Sequence, residues 1–458
     1  MKIESINQKV IQSALNQLTN SHEAKHYLSR YQNHGEKNFA VVKVGGGTLA
    51  DELDFLAESL ALLTHLGLNP IVIHGAGVQL DQGLAAAGIK TIKKSGLRVT
   101  DEACMKVVRP IMYDLNQKFV NALENQGVRA NGFVHGVFEC DYLDHAQFGL
   151  VGEVKKIHLS PIRQTLESGA IPVLSCLGET SSGQVVNINA DTATRELVWQ
   201  INPRKIIFVT PTGGIFNAQN EIISAIQLNN DYEEMNQQSW LHSGMKLKLQ
   251  QIKEMLAPMD VSHSVSITST QNLARELFTY KGAGTFINMG EEISESKVLN
   301  KSLEQHLTTV FQNAFDRTFK SQFLAGLEVD TVYWAASGRA AALVTKGFRG
   351  CAYLHKFAVT KAAQGEGLAA NLWQQIKANH PQLYWRSRVN NDINGWYFKQ
   401  SDASIKSDQG DWVGFSCGLY PAESLSCLQQ AFMTDSGWQD LSMYEKTEKT
   451  INEEVQHA

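Results

Sequence analysis

Two glycine loops, each closing a short apolar run, constrain this chain more than any other feature: Phe39-Ala-Val-Val-Lys43-Val-Gly45-Gly46-Gly47 and Ile71-Val-Ile-His74-Gly75-Ala76-Gly77. Runs this apolar suit a parallel sheet covered on both faces, where ligands sit at the carboxyl ends of the strands. A glycine turn between strand and helix lets backbone N–H groups approach an anion, and the helix N-terminus adds partial positive charge. One such loop reads as an ordinary turn. The pair, with Lys43 at one strand end, points to a polyphosphate held between them. After the first loop Leu53, Leu56, Leu60 and Leu63 recur at three-to-four spacing, which predicts a helix capped by Asp51.

Several classes are excluded. The chain contains neither a Gly-x-x-x-x-Gly-Lys-Ser/Thr run nor the His-Arg-Asp and Asp-Phe-Gly signatures of protein kinases. A net charge of -5 over 458 residues leaves no basic footprint for nucleic acid. No apolar stretch approaches the roughly 20 residues needed to cross a bilayer, and the first residues lack a signal-peptide core. The six cysteines are scattered without a Cys-x-x-Cys pair, against a zinc knuckle or disulfide scaffold and in keeping with a reducing cytoplasm. The expectation is a cytoplasmic protein with no membrane or nucleic-acid partner and no tightly bound metal or prosthetic group.

The length exceeds one ordinary core. Ile3, Ile6, Val10, Ile11, Leu15 and Leu18 lie at helical spacing, so residues 1–38 read as an N-terminal helical segment that packs on its own domain or on another subunit. Strand candidates at 39–44, 71–74, 171–175, 205–210, 265–268 and 285–288 alternate with helical stretches, which predicts an α/β domain over 39–290 with an open, mainly parallel sheet. Short runs between 129 and 158 read as hairpins inserted over one end of that sheet. The polar, acidic stretch 291–298 reads as a linker. A helix over 299–325, then strand runs 329–337, 340–346 and 352–359, a glycine loop and another helix predict an α+β domain over 299–445, followed by a polar tail, 446–458.

Four further segments accompany the two loops: Gly96-Leu-Arg98-Val-Thr100, Asn187-Ile-Asn189-Ala-Asp191, Pro211-Thr-Gly213-Gly214 and Ser243-Gly244-Met245-Lys246-Leu-Lys248. In this order and spacing the set resembles the amino-acid kinase family, most closely the N-acetylglutamate kinases. The resemblance implies phosphorylation of a carboxylate by ATP with Mg2+. A carboxylate is already a nucleophile, so catalysis reduces to positioning and charge neutralisation. By resemblance Lys43 and Lys248 would contact the transferring phosphoryl group, Asp191 would hold both lysines, and Gly45, Gly46, Gly75 and Gly77 would bind the nucleotide. Arg98 and Asn187 would bind N-acetylglutamate. The chain departs from the family pattern at Ala76, Val78 and Pro211-Thr212.

Gly365-Glu-Gly367-Leu-Ala-Ala370 fits a dinucleotide loop in isolation, but a meander precedes it and the following strand ends in Arg386-Ser-Arg388 where a ribose-binding acid would be expected. It better resembles the acyl-CoA loop of the GNAT acetyltransferases, with Gln364, Gly365 and Gly367 carrying the match. Leu354-His-Lys356-Phe and Trp385-Arg386-Ser-Arg388-Val-Asn390-Asn391, continuing to Trp396-Tyr397, resemble the transferase domain of N-acetylglutamate synthases. That implies acetyl-CoA and glutamate as substrates. Lys356, Arg386, Arg388 and Asn391 would bind glutamate, and Tyr397 would orient the amine or protonate the leaving thiolate. Arg386 and Arg388, at i and i+2, share one strand face. Trp396 and Phe398 read as more readily core than Tyr397, whose hydroxyl needs a partner.

Together the resemblances imply a bifunctional synthase and kinase that makes N-acetylglutamate and then its 5-phosphate, two steps of arginine synthesis. The segment around Lys281, Gly282 and Gly284 resembles the arginine-site lining of arginine-inhibited kinases, and the family implies a homo-oligomer, a tetramer by resemblance. The rival reading is a synthase whose kinase-like domain is a catalytically silent arginine sensor.

Overall fold

The computed structural model describes residues 40–94, 96–278, 283–364, 367–391 and 393–439. The segment 1–38 and the tail 446–458 lie outside them. The chain divides into two compact units, Met1–Gly290 and Glu291–Ala458, each with its own apolar core.

In chain order the first unit contains β1 (Ala40–Val44), β2 (Ile71–His74), the short ribbon β3 (Lys93–Lys94) and β4 (Leu97–Arg98), β5 (Ala130–Phe133), β6 (Phe138–Tyr142), β7 (Gly152–Ile157), β8 (Ile171–Ser175), β9 (Leu177–Thr180), β10 (Val185–Asn187), β11 (Lys205–Val209), β12 (Ala225–Gln227), β13 (Ser264–Thr268) and β14 (Thr285–Asn288). The main sheet runs β12-β14-β13-β11-β1-β2-β8-β5. Its pairs are parallel except β13 with β14. Every residue of β1, β2, β8 and β13 is buried, as a sheet covered on both faces requires. From β1 the chain moves to β2 on one side and later returns to β11 on the other, so the strand order switches at β1 and a crevice forms there.

The helix Leu53–His65 buries Leu56, Leu60 and Leu63 completely, each side chain contributing roughly 1.5–3 kcal/mol. Asp51 does not cap it. The glycine loop turns directly into a short helix, Gly46–Asp51, and Glu52 occupies the N-cap of the next one without a side-chain bond. Residues 129–158 also differ from the expected hairpins. β5 joins the main sheet parallel to β8, and only β6 and β7 form an antiparallel pair, within a smaller sheet of order β10-β9-β6-β7. A half-exposed edge strand carries the same mixed pattern as a hairpin, so sequence alone does not separate them.

The second unit contains β15 (Ile293–Ser296), β16 (Val329–Ala335), β17 (Ala340–Lys346), β18 (Ala352–Val359), β19 (Leu383–Arg388), β20 (Ala403–Lys406) and β21 (Trp412–Cys417), in the order β15-β16-β17-β18-β19-β21-β20. The stretch 291–298 is therefore no linker. It supplies edge strand β15, antiparallel to β16, and Glu291 is gripped by Arg339, whose Nε donates at 2.9 Å. Its polar composition reflects an edge position. The helix expected over 299–325 is Lys301–Phe315, followed by a short 3-10 turn at Leu324–Gly326.

That helix packs with Ala341, Leu343 and Ala358 on one face of the sheet. The helices Leu368–Asn379 and Asn394–Gln400 cover Phe357, Trp385 and Phe415 on the other. Tyr384 packs instead with the helix Pro421–Met433, as alternation along β19 demands. β18 and β19 pair, in parallel, at only two positions, Ala352 with Leu383 and Tyr353 with Tyr384. Beyond these the ladder between them stops, in the middle of the sheet.

Candidate active sites

In the first unit the charged centre lies at the carboxyl end of β1. Lys43, buried in a strand of valines, places Nζ 2.8 Å from Asp191 Oδ1. Asp191 opens the helix Ala190–Ile201, whose cap is Asn189; the Asn189 side chain accepts from the Asp191 and Thr192 N–H groups at 2.9 and 3.1 Å. Burial works to raise the Asp191 pKa, but the ammonium groups of Lys43 and Lys248 outweigh it and hold the carboxyl below its ordinary value. Lys248 comes from the helix Ser243–Leu256. Burial and repulsion from Lys43 lower its pKa, against the attraction of Asp191. Lys43 pairs directly with Asp191, while Lys248 only feels the charges of both, so two ammonium groups face one carboxylate at the crevice. A cleft of about 180 Å3 opens beside Asp191, lined by Thr192, Arg195, Leu247 and Gln251 among others.

The two glycine loops touch. A Cβ on Gly46 would lie 2.7 Å from both the Gly77 nitrogen and Gln79 Oε1, so only glycine fits, and Gln79 Nε2 donates to the Gly46 carbonyl at 2.8 Å. Gly46 and Gly77 each begin a helix, where N–H groups lack intrahelical acceptors. Gly45 and Gly75 differ from expectation. Their N–H groups continue the strand ladders, donating to Val209 O at 3.4 Å and Val44 O at 3.0 Å, so neither is spare for a phosphate.

Arg98 is not an open carboxylate grip either. Its guanidinium donates to Asp81 Oδ1 at 2.6 Å, Thr91 Oγ1 at 3.2 Å and the Gly77 carbonyl at 3.3 Å, and its side chain is 8% exposed. It pins β4 to the second loop. Asn187 Nδ2 donates to Thr100 Oγ1 at 3.2 Å, and Thr100 Oγ1 donates to the Arg98 carbonyl at 3.0 Å, which joins both predicted substrate residues in one chain of bonds. Of the departures from the family pattern, Val78 is exposed, and Thr212 shares a 3.2 Å hydroxyl contact with Thr210. In the effector segment Lys281 and Gly282 lie outside the described residues. Gly284 has a structural duty: a Cβ there would strike the Ile267 carbonyl, and its N–H donates to Glu276 Oε2 at 3.0 Å.

In the second unit the predicted residues divide between the two faces of the sheet. On the face carrying the helix Pro421–Met433, Lys356 Nζ donates to the Ser436 carbonyl at 2.7 Å and lies near the rings of Phe319, Phe323 and Trp438. Burial and the charge of Arg386 lower its pKa to about 7. Arg386 donates to the Phe432 carbonyl at 2.8 Å and to the Thr434 carbonyl. Arg386 and Arg388 both lie 4.0 Å from the Trp412 ring centre, as their shared face predicts, and exposed Arg388 sits 3.8 Å from Asp411. Asn391 occupies the turn beyond β19, exposed, its side-chain oxygen accepting from Ile393 N at 3.4 Å.

Tyr397 belongs to the opposite face. It is 5% exposed, its ring 5.5 Å from Phe415 and 5.6 Å from Trp385, and burial raises its pKa, so the hydroxyl keeps its proton. The aromatic run reads differently from expectation: Tyr397 is the core residue and Phe398 is 51% exposed. The helix Leu368–Asn379 supports Tyr397 through Trp373 and begins at Gly367, which adopts a left-handed conformation with φ 78°. Gln364 stands just before this loop; Gly365 lies outside the described residues. Sequence reasoning gave no role to Asp81, Trp412 or the hydroxyl of Thr100, which the fold brings to Arg98, to Arg386 and Arg388, and to Asn187, nor to the main-chain carbonyls of 432–436, which no residue type announces.

Residues 38–268 match the amino acid kinase family, and residues 293–435 match the N-acetyltransferase of N-acetylglutamate synthase. The acetylglutamate kinase of Xanthomonas campestris pv. campestris is 42% identical over 89% of this chain and 96% of its own. The chain belongs to the amino acid kinase family and carries the N-acetylglutamate synthase transferase domain behind it. The acetylglutamate kinase of Xylella fastidiosa strain 9a5c, another relative, is 44% identical over 88% of this chain and 95% of its own. Human mitochondrial N-acetylglutamate synthase is 29% identical over 91% and 76%. In fold the chain is similar to Neisseria gonorrhoeae N-acetylglutamate synthase complexed with coenzyme A and N-acetyl-glutamate, with a TM-score of 0.61, 19% identity, and coverage of 87% of this chain and 98% of that one. Among the described residues no helix is long and apolar enough to cross a membrane.

Proposed function

We propose that the chain carries out two consecutive reactions of arginine synthesis. The second unit transfers acetyl from acetyl-CoA to the amine of glutamate, and the first phosphorylates the side-chain carboxylate of the resulting N-acetylglutamate with ATP and Mg2+. The observation that carries the kinase half is the Lys43–Asp191 pair with the charge of Lys248 acting on both. A phosphoryl group in flight bears charge on its three outer oxygens, and two preorganised ammonium groups stabilise it without needing a base. Asp191 pairs with Lys43 and attracts Lys248 against the repulsion of Lys43. Gly46 and Gly77 offer first-turn N–H groups to the nucleotide phosphates, with magnesium arriving on the ATP. Among the described residues no three His, Cys, Asp or Glu side chains gather as a metal site.

In the acetyltransferase half, acetyl-CoA enters from the face of the helix Leu368–Asn379, whose N-terminus receives the pyrophosphate, and its thioester reaches the point where the pairing of β18 with β19 stops. Glutamate lies on the opposite face, its carboxylates exchanging with the carbonyls that hold Lys356 and Arg386. Arg388 and Asn391 at the end of β19 complete that site. Protonated Tyr397 donates to the departing thiolate. Arginine acts as the effector, bound by the segment that includes Lys281, Gly282 and Gly284, and the protein works as a cytoplasmic homo-oligomer, a tetramer. Separate assays test the pairing. Purified protein should release ADP with N-acetylglutamate and free thiol with glutamate and acetyl-CoA; failure of either reaction removes that half.

A further inference from the structure

β18 contains one irregular step. Leu343 pairs with Lys356 while Val344 pairs with Leu354, so His355 is the extra residue of a bulge. Consecutive side chains on a regular strand leave opposite faces, and a bulge interrupts that alternation. His355 and Lys356 accordingly share surroundings. The Phe323 ring lies 5.5 Å from the His355 ring and 5.9 Å from Lys356 Nζ, and Tyr353 walls His355 on another side at 5.4 Å. This is the face on which Lys356 and Arg386 stand, just past the point where the pairing of β18 with β19 stops.

Both ring nitrogens of His355 are buried without a hydrogen-bond partner among the described residues. An unmade bond of this kind costs about 1–3 kcal/mol, and the nearby carbonyls of Phe432, Thr434 and Ser436 are engaged by Arg386 and Lys356. Around the ring stand Lys356 on its own strand, the Tyr353 phenol, Arg386 on β19 and Asp435 on the segment after Pro421–Met433. Asp435 is itself paired with Lys320 at 2.9 Å, and Arg317 adds positive charge near Lys356. Burial first, then repulsion from Lys356 and Arg386, lowers the His355 pKa to about 3. The ring is neutral at physiological pH, with one nitrogen able to accept a proton.

Building on the acetyltransferase reading above, we propose that His355 is the base that takes the proton from the glutamate amine as it attacks the thioester. The amine lone pair forms the C–N bond and the carbonyl electrons move to oxygen. The N–H proton passes to the free imidazole nitrogen. The carbonyl reforms, the C–S bond breaks, and the Tyr397 proton goes to sulfur. His355 then returns its proton to solvent and Tyr397 is reprotonated from it, so amine and thioester have become amide and thiol. Glutamate makes its own base stronger, because its carboxylates neutralise Lys356 and Arg386 and so remove the part of the depression that burial does not cause.

The test uses the full chain. His355→Asn should lower the acetyltransfer kcat by about 100-fold, with the KM for glutamate changed by less than about threefold and the ionisation of the base lost from the pH profile of kcat. His355→Gly should recover at least about tenfold with added imidazole. Phosphorylation of N-acetylglutamate by the same preparations, unchanged from wild type, shows that the variants are folded. A wild type without acetyltransfer overturns the acetyltransferase reading and the proposal with it. Active wild type beside a His355→Asn kcat within about threefold, or a His355→Gly loss that imidazole leaves untouched, overturns the proposal alone.

Discussion

At the scale of single residues, charge decides both sites. Asp191 sits 2.8 Å from Lys43 and also feels Lys248, so Asp191→Asn leaves two ammonium groups repelling each other at the proposed phosphoryl-transfer site. Its phosphorylation kcat should fall by about 100-fold or more with acetyl transfer unaffected, as ADP and thiol assays on one preparation would read. Lys356 gives a pH prediction. Its pKa is lowered to about 7, so the ammonium that attracts carboxylates is present below that pH and lost above it. N-acetylglutamate, which has no amine to titrate, should therefore weaken as a product inhibitor of acetyl transfer by up to roughly tenfold per pH unit above 7. Lys356→Arg, permanently charged, should flatten that dependence. Lys43 was legible as a lysine at the end of an apolar strand, whereas Asp191 and Lys248 entered through the family resemblance, and the structure brings Asp191 to Lys43. The pairing of Arg98 and Gly75 was not legible, because the Asp81 carboxylate and the Val44 carbonyl that engage them are brought there by the fold. Tyr397 was named through the resemblance, but its place in the core, like the bulge at His355, is something no spacing reveals.

At the scale of elements, burial on both sides made strands readable and exposure on one side hid them. The wholly buried β1, β2 and β8 stand where apolar runs predict them, whereas β5 and β15, at sheet edges, carry the mixed composition of a hairpin and a linker. The contact between the two glycine loops is the element-level feature most open to test. Gly46→Ala would force a Cβ to 2.7 Å from the Gly77 nitrogen, an overpacking strain of about 1–3 kcal/mol that separates the loops. The KM for ATP should rise by about tenfold or more with the glutamate KM of acetyl transfer unchanged. An unaltered ATP KM would show that the loops do not hold the nucleotide.

At the scale of the whole molecule, each unit has its own core and its own charged site, so damage to one chemistry should spare the other. Lys248→Ala should abolish phosphorylation and leave acetylation intact, and Arg388→Ala, which removes an exposed cation beside Trp412, should do the reverse. Loss of both activities in either variant would mean a shared site or a collapsed fold. Retention of the Lys43–Asp191 pair beside Lys248 favours a working kinase over a silent sensor, since a sensor has no use for two lysines converging on a phosphoryl group. The most direct measurement supplies glutamate, acetyl-CoA, ATP and magnesium together, without N-acetylglutamate, and traps acyl phosphate with hydroxylamine. Hydroxamate should form, and should disappear when any one of glutamate, acetyl-CoA or ATP is omitted. Thiol release without hydroxamate would contradict the proposed pair of reactions.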